Sequence, residues 1–249
     1  MLEKKLTLFL LILVTLLNTG VSACAQSDMQ YIISEYDVNV RINTDGSMDI
    51  TENIIYTSLG SYNNAMVMID MQEGEEIEIK KVYILQKNGY VECKGLSEGQ
   101  WNVNAFSGTY SVTDELGLVR LKVYGNFSNS RGSIVVQYGV KNAVKRYNDI
   151  AEYRRKHIFE SWEGRISNIN ITVSLPMAGQ PSSIKPFLHG VLVGSKKVEN
   201  DRTVSFNIPN TVPGEYVEAR IAFPQDIVFN ADRAEDTNFL ETVLREEEE

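Results

Sequence analysis

The chain is poor in cysteine and histidine, with two of each among its 249 residues. Cys24 and Cys93 cannot build a disulfide framework, so the fold must depend on a hydrophobic core. Cys93 itself is predicted to be a small buried strand residue rather than a nucleophile. His157 and His189 lie in different predicted elements, whereas a zinc site needs several such ligands to converge. The sequence therefore predicts no metal centre built on these residues.

Basic residues are also scarce, because 24 Lys and Arg stand against 33 Asp and Glu and give a formal net charge of -9. Nucleic-acid binding depends on clustered Lys and Arg that replace counterions, so this balance predicts no nucleic-acid partner. It disfavours adsorption to anionic membrane surfaces for the same reason. Part of the negative charge lies in the terminal run of glutamates at residues 246–249, which is typical of a solvated helix end.

No apolar run in the sequence reaches the length of a typical membrane span, which is about 20 residues. The longest run, residues 6–17, follows two lysines and precedes small and polar residues, the order found in a secretory signal sequence. We therefore predict that residues 1–25 are a signal peptide and that the protein is exported. Cleavage before Gln26 is one expectation. In the other, Val21-Ser22-Ala23-Cys24 acts as a bacterial lipobox and Cys24 becomes the lipidated first residue.

The sequence contains no motif that names a reaction. A Gly-x-Ser-x-Gly elbow is absent, and spacing along the chain fixes no carboxyl separation for acidic pairs such as Asp149 with Glu152 or Asp114 with Glu115. The sequence therefore predicts that the protein is not an enzyme and carries no cofactor. An oxygen-ligand calcium site on a sandwich loop stays open, for instance near Asp45 or near Asp201.

Aromatic residues are spread along the whole chain. Exposed rings at suitable positions could bind the apolar faces of sugars or peptides, but β-sandwich cores bury rings of the same kind. We favour packing in the core and between domains. The rings in question are Trp101, Tyr110, Tyr124, Tyr138, Tyr147 and Trp162.

The feature that the sequence has in abundance is two-residue periodicity. Residues 36–42 alternate apolar and polar side chains, which is typical of a half-buried strand. Asp45-Gly46 follows and supplies the positive φ of a tight turn, so residues 48–56 are predicted to pair back antiparallel. Asn88-Gly89 predicts a second hairpin in the same way.

This rhythm changes between residues 143 and 158, where apolar residues recur at steps of three and four, and it returns from residue 169. From residue 231 an apolar stripe runs between acidic residues and predicts a helix. The predicted fold is mainly β, with two β-sandwich-like (immunoglobulin-like) domains at residues 30–142 and 143–228. A short helix is predicted at the junction, and residues 229–249 are predicted to be an acidic helical tail or juxtamembrane stalk.

Three segments carry a family resemblance. The first runs from Tyr36-Asp37-Val38 through Asp45-Gly46-Ser47 to Thr51-Glu52, and the second from Gln137-Tyr138 through Tyr147-Asn148-Asp149 to Ala151-Glu152. The third runs from Trp162 through His189-Gly190 to Phe223-Pro224. In this order they resemble the bacterial predicted membrane proteins grouped as domain of unknown function 2207. The resemblance implies an exported, N-terminal extracytoplasmic domain without an established activity. In typical members, transmembrane helices follow this domain.

Together these patterns predict a non-enzymatic module at the extracytoplasmic face of the bacterial cell membrane or at the cell surface. We expect it to act through contacts with proteins or envelope polymers. Two routes could associate it with the membrane: a lipid on Cys24, or a helix beyond residue 249. The alternative is a surface protein that binds or cleaves carbohydrate and uses the aromatic and acidic residues.

Overall fold

A computed structural model describes residues 30–97, 106–115, 117–129, 131–231 and 235–248 of the chain. The protein is mainly β, as the two-residue periodicity predicted, and the described strands form three hydrogen-bonded sheets. These strands are β1 (Gln30–Ile42), β2 (Met48–Leu59), β3 (Ser61–Asp70), β4 (Glu76–Gln86), β5 (Gly89–Glu92), β6 (Lys94–Gly95), β7 (Thr109–Glu115), β8 (Leu118–Ser128), β9 (Arg131–Lys141), β10 (Lys145–Arg146), β11 (Ala151–Ile158), β12 (Ile166–Ser174), β13 (Lys185–His189), β14 (Ser195–Val198), β15 (Thr203–Thr211) and β16 (Val217–Phe223).

Both predicted hairpins are confirmed, and both lie in the largest sheet, whose order is β14-β15-β12-β1-β2-β9-β4-β5. In the first turn Gly46 has a φ of 75°, and the Asp45 carboxylate accepts hydrogen bonds from the Ser47 amide (3.0 Å) and hydroxyl (2.6 Å). In the second turn Gly89 has a φ of 115°. Glycine adopts such angles without steric cost, which is why the two dipeptides mark these turns.

The largest sheet also contains a parallel pair, β1 with β12, which runs from Ile33 opposite Ile166 to Arg41 opposite Ser174. Parallel neighbours are joined by a long crossover rather than by a tight turn, so no local sequence signal marks this pairing. The division into domains after residue 142 stays a prediction. Strands from both sides of that position nevertheless share this one sheet.

The two smaller sheets have the orders β10-β11-β16-β13 and β3-β8-β7-β6. Side chains from all three sheets share one hydrophobic core, in which Val38, Leu121 and Ile221 are each at most 1% exposed. The arrangement is sandwich-like, because the largest sheet packs against the two smaller ones. β3 and β11 are neighbours in the second layer, although they belong to different sheets.

The short helix predicted at the junction is wrong, because that segment forms the strands β10 and β11. On β11 the side chains of Ala151, Tyr153, Arg155 and His157 are all buried, as expected for alternate residues on the inner face of a strand. Two of these four inward positions hold polar residues. The apolar residues alone therefore do not show the two-residue period, and their spacing imitates that of a helix.

A C-terminal helix is present but shorter than predicted: α1 spans Leu240–Glu246. Its start is fixed by the Asp149 carboxylate, which accepts a hydrogen bond from the Phe239 amide at 2.8 Å. Val243 on α1 is fully buried against the outer face of the β10-β11-β16-β13 sheet. Among the described residues, no helix combines the length and the apolar character that a membrane span requires.

Candidate functional site

An apolar cavity of about 180 Å³ lies between the inner face of the largest sheet and the neighbouring strands β3 and β11. It is partly open to solvent. For comparison, an engineered protein cavity of about 150 Å³ with an apolar lining binds benzene. The cavity is therefore large enough for one apolar group of the size of a leucine or phenylalanine side chain. Its walls include Ile54, Tyr56, Phe127, Ile134, Trp162 and Ile166.

One wall is β3, whose residues 65–69 are all apolar. Val67 and Ile69 are buried, and Ala65 lies on the same side of the strand. Met66 and Met68 are partly exposed and border the cavity. Methionine side chains are flexible and polarisable, so they adapt to groups of different shape. β3 was not predicted from the sequence, because a run of five apolar residues shows no alternation that would mark it as a strand.

The opposite wall comes from the end of β11 and the connection that follows it. Ile158 is buried there, while Phe159 and Trp162 are partly exposed beside the cavity. The Ser161 hydroxyl lies 3.8 Å from Sδ of Met68, so this connection approaches β3. Side chains from two different sheets thus border the opening.

The cavity lining includes an aromatic pair from two sheets, Tyr56 on β2 and Phe127 on β8, whose ring centroids are 5.3 Å apart with an interplanar angle of 64°. Such an edge-to-face contact is a favourable arrangement of two rings. Gly132 lies beneath the Tyr56 ring, and a Cβ atom at this position would lie 2.2 Å from the Tyr56 hydroxyl oxygen. Glycine therefore leaves the space that the ring occupies.

A buried carboxylate, Glu52, lies next to this apolar region and is 2% exposed. Its two oxygens accept hydrogen bonds from the hydroxyls of Tyr36 (2.7 Å) and Tyr138 (2.6 Å) on the flanking strands. Burial raises the pKa of Glu52 and outweighs the opposite effect of these hydrogen bonds. Glu52 follows Met48 and Ile50 at inward positions of β2, so a glutamate in phase with apolar residues was the signal that could have revealed it.

His157 borders the cavity and is held by β11. Its Nε2 atom lies 2.7 Å from the Tyr153 hydroxyl, and its backbone carbonyl accepts a 3.5 Å hydrogen bond from the Tyr36 hydroxyl. Burial and the nearby Arg155 guanidinium lower the pKa of His157 to about 3. His157 is therefore neutral at physiological pH.

Arg155 is the third buried polar residue of this region, and its side chain is 1% exposed. One guanidinium nitrogen donates to both carboxylate oxygens of Glu75 at 2.8 Å, and another donates to the backbone carbonyl of Asp70. The Nε atom has no hydrogen-bond partner among the described residues. Burial raises the pKa of Glu75 against the opposing effect of Arg155. This ion pair fixes the β3–β4 connection to β11.

These buried polar residues are bonded to one another rather than directed at an open site. General acid–base catalysis needs a group that titrates near the working pH and can reach a substrate. His157 has too low a pKa for this role, and both oxygens of Glu52 are already engaged by tyrosines. The polar network, defined as Tyr36, Glu52, Tyr138, Tyr153, Arg155, His157 and Glu75, is therefore suited to hold the cavity walls in place.

A second polar cluster lies on the opposite face of the same small sheet, beneath α1. Arg220 is 2% exposed and forms ion pairs with Glu152 (2.6 Å), Glu246 (2.9 Å) and Glu247 (2.9 Å). His189 adds two contacts, since its ring nitrogens lie 3.1 Å from Glu218 and 2.8 Å from Glu247. The hydrogen bond with Glu218 is the largest cause of the raised pKa of His189. This cluster attaches the end of α1 to the sheet.

The remaining sequence-predicted residues are dispersed. Cys24 and Trp101 lie outside the described residues. Cys93 is buried as predicted, and burial raises the pKa of its thiol to about 11. The Asp45 carboxylate is engaged by the hairpin turn, and no group of three or more His, Cys, Asp or Glu side chains suited to a metal ion occurs in the described part of the chain.

The acidic and aromatic candidates do not converge on one site either. Asp149 caps α1 and Glu152 pairs with Arg220, so this acidic pair serves the attachment of α1, while Asp114 and Glu115 lie on β7. Core packing is confirmed for three rings, because Tyr124, Tyr138 and Tyr147 are buried. Trp162 instead borders the cavity, and Tyr110 is partly buried.

Comparisons with known proteins identify a family. The model for the N-terminal domain of a predicted membrane protein (DUF2207) matches residues 32–223. A search of curated proteins found no match. Among solved structures, leukotriene A4 hydrolase from Saccharomyces cerevisiae is similar at a TM-score of 0.46 and 10% identity, with 81% of this chain and 31% of that chain covered.

A second solved structure, the M1 zinc metallopeptidase from Deinococcus radiodurans, is similar at a TM-score of 0.38 and 8% identity. This comparison covers 77% of this chain and 43% of that chain. The chain thus spans less than half the length of these two solved chains. TM-scores below 0.5 at such low identity support no inference about the activity of this protein.

Proposed function

This chain belongs to the DUF2207 family of predicted membrane proteins, and on that premise we propose that it is a non-enzymatic binding module on the extracytoplasmic side of the bacterial cell envelope. Its binding site is the cavity between β3, β11 and the largest sheet, which receives an apolar group of a partner. The partner is a protein or an envelope polymer rather than a nucleic acid, in keeping with the net charge of -9.

One observation carries the proposal: the cavity is apolar, and the polar side chains around it are bonded to one another. Ligand pockets combine an apolar lining with a few polar groups that fix orientation. A catalytic pocket also needs a titratable or nucleophilic group directed at the substrate. His157, the titratable residue nearest to that role, stays neutral because its pKa is about 3. These features favour binding over catalysis.

Benzene is a suitable probe for the cavity. A ligand that binds only the folded state raises the melting temperature in proportion to the logarithm of its concentration over its Kd. We expect benzene to raise the Tm of the wild-type protein. The variant Ala65→Phe, which places a ring in the cavity, should remove this shift. The matched control Ala178→Phe adds the same ring at an exposed position and should keep it. Equal shifts of the Tm by benzene in both variants would show that benzene does not bind in this cavity.

The extracytoplasmic location rests on the signal-like sequence of residues 1–25 and on the family. It can be tested by expressing the full chain in a bacterium and adding protease to spheroplasts. We expect the protein to be degraded without lysis of the spheroplasts, whereas a cytoplasmic control protein survives. Protection of both proteins until the membrane is broken would place the chain inside the cell.

Attachment to the membrane through Cys24 is a separate part of the proposal, because Val21-Ser22-Ala23-Cys24 resembles a bacterial lipobox. Metabolic labelling with a fatty-acid analogue should label the wild-type chain and not the Cys24→Ala variant. Cys93→Ala is the matched control and should stay labelled. Absence of label in the wild-type chain would leave a helical anchor as the remaining route.

A further inference from the structure

β3 and β11 are two sheet edges that lie beside each other without being paired. β3 is the last strand of its sheet and is hydrogen-bonded to β8 alone. β11 pairs with β16 along its length, but on its other edge it pairs with β10 only at Ala151 and Glu152. In the described part of the chain, no strand occupies the other edge of β3 or that of residues 153–158 on β11, although side chains already bond to the Arg154 carbonyl and the Lys156 amide there.

The two edges approach each other at one end and separate toward the other. Near Asp70 they are in contact, because its carboxylate accepts a 3.4 Å hydrogen bond from the Lys156 amide and the Gln72 side chain donates to the Arg154 carbonyl. Farther along, the cavity lies between residues 64–68 of β3 and residues 157–162. The gap is therefore a wedge, and its floor is the inner face of the largest sheet.

We propose that an extended peptide segment of a partner protein enters this wedge as an additional β-strand between β3 and β11. The inference rests on the proposed binding function and names the class of ligand. The inserted strand forms backbone hydrogen bonds with both edges and joins the two smaller sheets into one. Alternate side chains of a strand point to opposite faces, so one apolar side chain of the peptide fills the cavity.

The two unpaired edges favour a peptide over a lipid. An exposed strand edge presents backbone donors and acceptors that another strand can pair with. A fatty acyl chain could fill the apolar cavity, but its hydrocarbon offers no donor or acceptor to either edge. A peptide backbone supplies both along its whole length, and residues 64–68 provide an edge of five residues. That length suits a short linear segment of a partner.

The direct test is a binding titration with an eight-residue peptide that alternates leucine and threonine. An analogue that is N-methylated at its four central residues keeps the side chains and loses the backbone donors. Because the inserted backbone is hydrogen-bonded at its edges, we expect N-methylation of its donors to weaken binding at least about tenfold, which corresponds to about 1.4 kcal/mol. Ala65→Phe should abolish binding of the parent peptide, and Ala178→Phe should leave it unchanged.

Parallel titrations with benzene and dodecanoate separate the remaining outcomes. Benzene binding without peptide binding would overturn the strand proposal and leave the proposed binding function intact. If neither benzene nor the peptide binds, both the strand proposal and the proposed binding function are overturned. Tighter binding of dodecanoate, together with equal affinities for the two peptides, would identify the ligand as an acyl chain and contradict strand insertion.

Discussion

Two buried arginines lie on opposite faces of the same small sheet, and their surroundings differ. Arg155 on β11 faces the core, where its side chain and that of Glu75 are at most 1% exposed. Arg220 on β16 faces α1, and although it is 2% exposed, its partner Glu246 is 43% exposed. Arg154 is paired opposite Arg220 in the sheet, which places Arg155 on the other face.

The difference indicates that one sheet can combine a rigid inner face with an adjustable outer face. Arg155 and Glu75 are closed to water, so each of these two groups depends on the partner that the fold provides. The Arg220 side is wetter at Glu246, so that carboxylate can exchange a lost partner for water. It also contains His189, whose pKa is raised chiefly by its hydrogen bond with Glu218. We therefore expect the face that borders the cavity to be rigid and the face under α1 to be adjustable.

Arg155→Met should produce the largest loss of stability. The substitution leaves the Glu75 carboxylate buried without its partner, and breaking a buried ion pair in this way costs about 3–5 kcal/mol. Urea unfolding monitored by tryptophan fluorescence measures the change. The neighbouring Arg154→Met is the matched control and should cost at most about 1 kcal/mol, because Arg154 is partly exposed. Equal costs for the two variants would remove the distinction between the two faces.

Glu52→Leu should have the next largest effect. It removes the acceptor of two buried tyrosine hydroxyls, and each buried polar group left without a partner costs about 1–3 kcal/mol. Glu52→Gln keeps a carbonyl acceptor and should cost less. Urea unfolding of the two variants in parallel tests this order. A leucine variant as stable as the glutamine variant would show that the hydroxyls find other partners.

Arg220→Met should destabilise the protein less than Arg155→Met does. Hydrogen bonds to charged groups contribute about 1.5–3 kcal/mol. Glu152 loses its partner in a buried position, as Glu75 does in Arg155→Met, but water can replace the loss at the exposed Glu246. Amide hydrogen exchange should locate the change, with faster exchange in α1 and unchanged exchange in β11. Faster exchange throughout the sheet would mean that the outer cluster supports the whole fold.

His189 should give the smallest effect, and one that depends on pH. Its pKa is raised in the folded state, so its stabilising contribution is complete below the unfolded-state value of about 6.5. The contribution is lost as the pH rises through the folded-state value. Wild-type protein should therefore exceed His189→Gln in stability at pH 6 by less than about 1 kcal/mol, and the difference should vanish at high pH. Urea unfolding at several pH values measures this; a difference that grows with pH would contradict the ion pairs.

Local signals in the sequence were sufficient to predict the mainly β class and the two hairpins. Asp45-Gly46 and Asn88-Gly89 mark turns by chemistry that acts within four residues. The pairing of β1 with β12 depends instead on segments that are far apart in the chain. No short window contains that information, so the sequence analysis could not predict the parallel pair.

The candidate site was largely hidden for the same kind of reason. Arg155 and His157 occupy inward positions of β11, where a polar residue breaks the apolar pattern that identifies a strand. β3 has the opposite difficulty, because its uniform run of apolar residues shows no period. The cavity itself arises from the separation of two strand edges. It is a property of packing between sheets and leaves no trace in the order of residues.

The central claim is that the polar network holds the cavity walls in place, while the apolar cavity binds an apolar group of the ligand. The most direct measurement is the benzene affinity of Glu52→Gln by isothermal titration calorimetry. Glu52 lies outside the cavity lining, so we expect a Kd within about twofold of wild type, even though the variant is less stable. Loss of benzene binding in a folded Glu52→Gln protein would contradict this account.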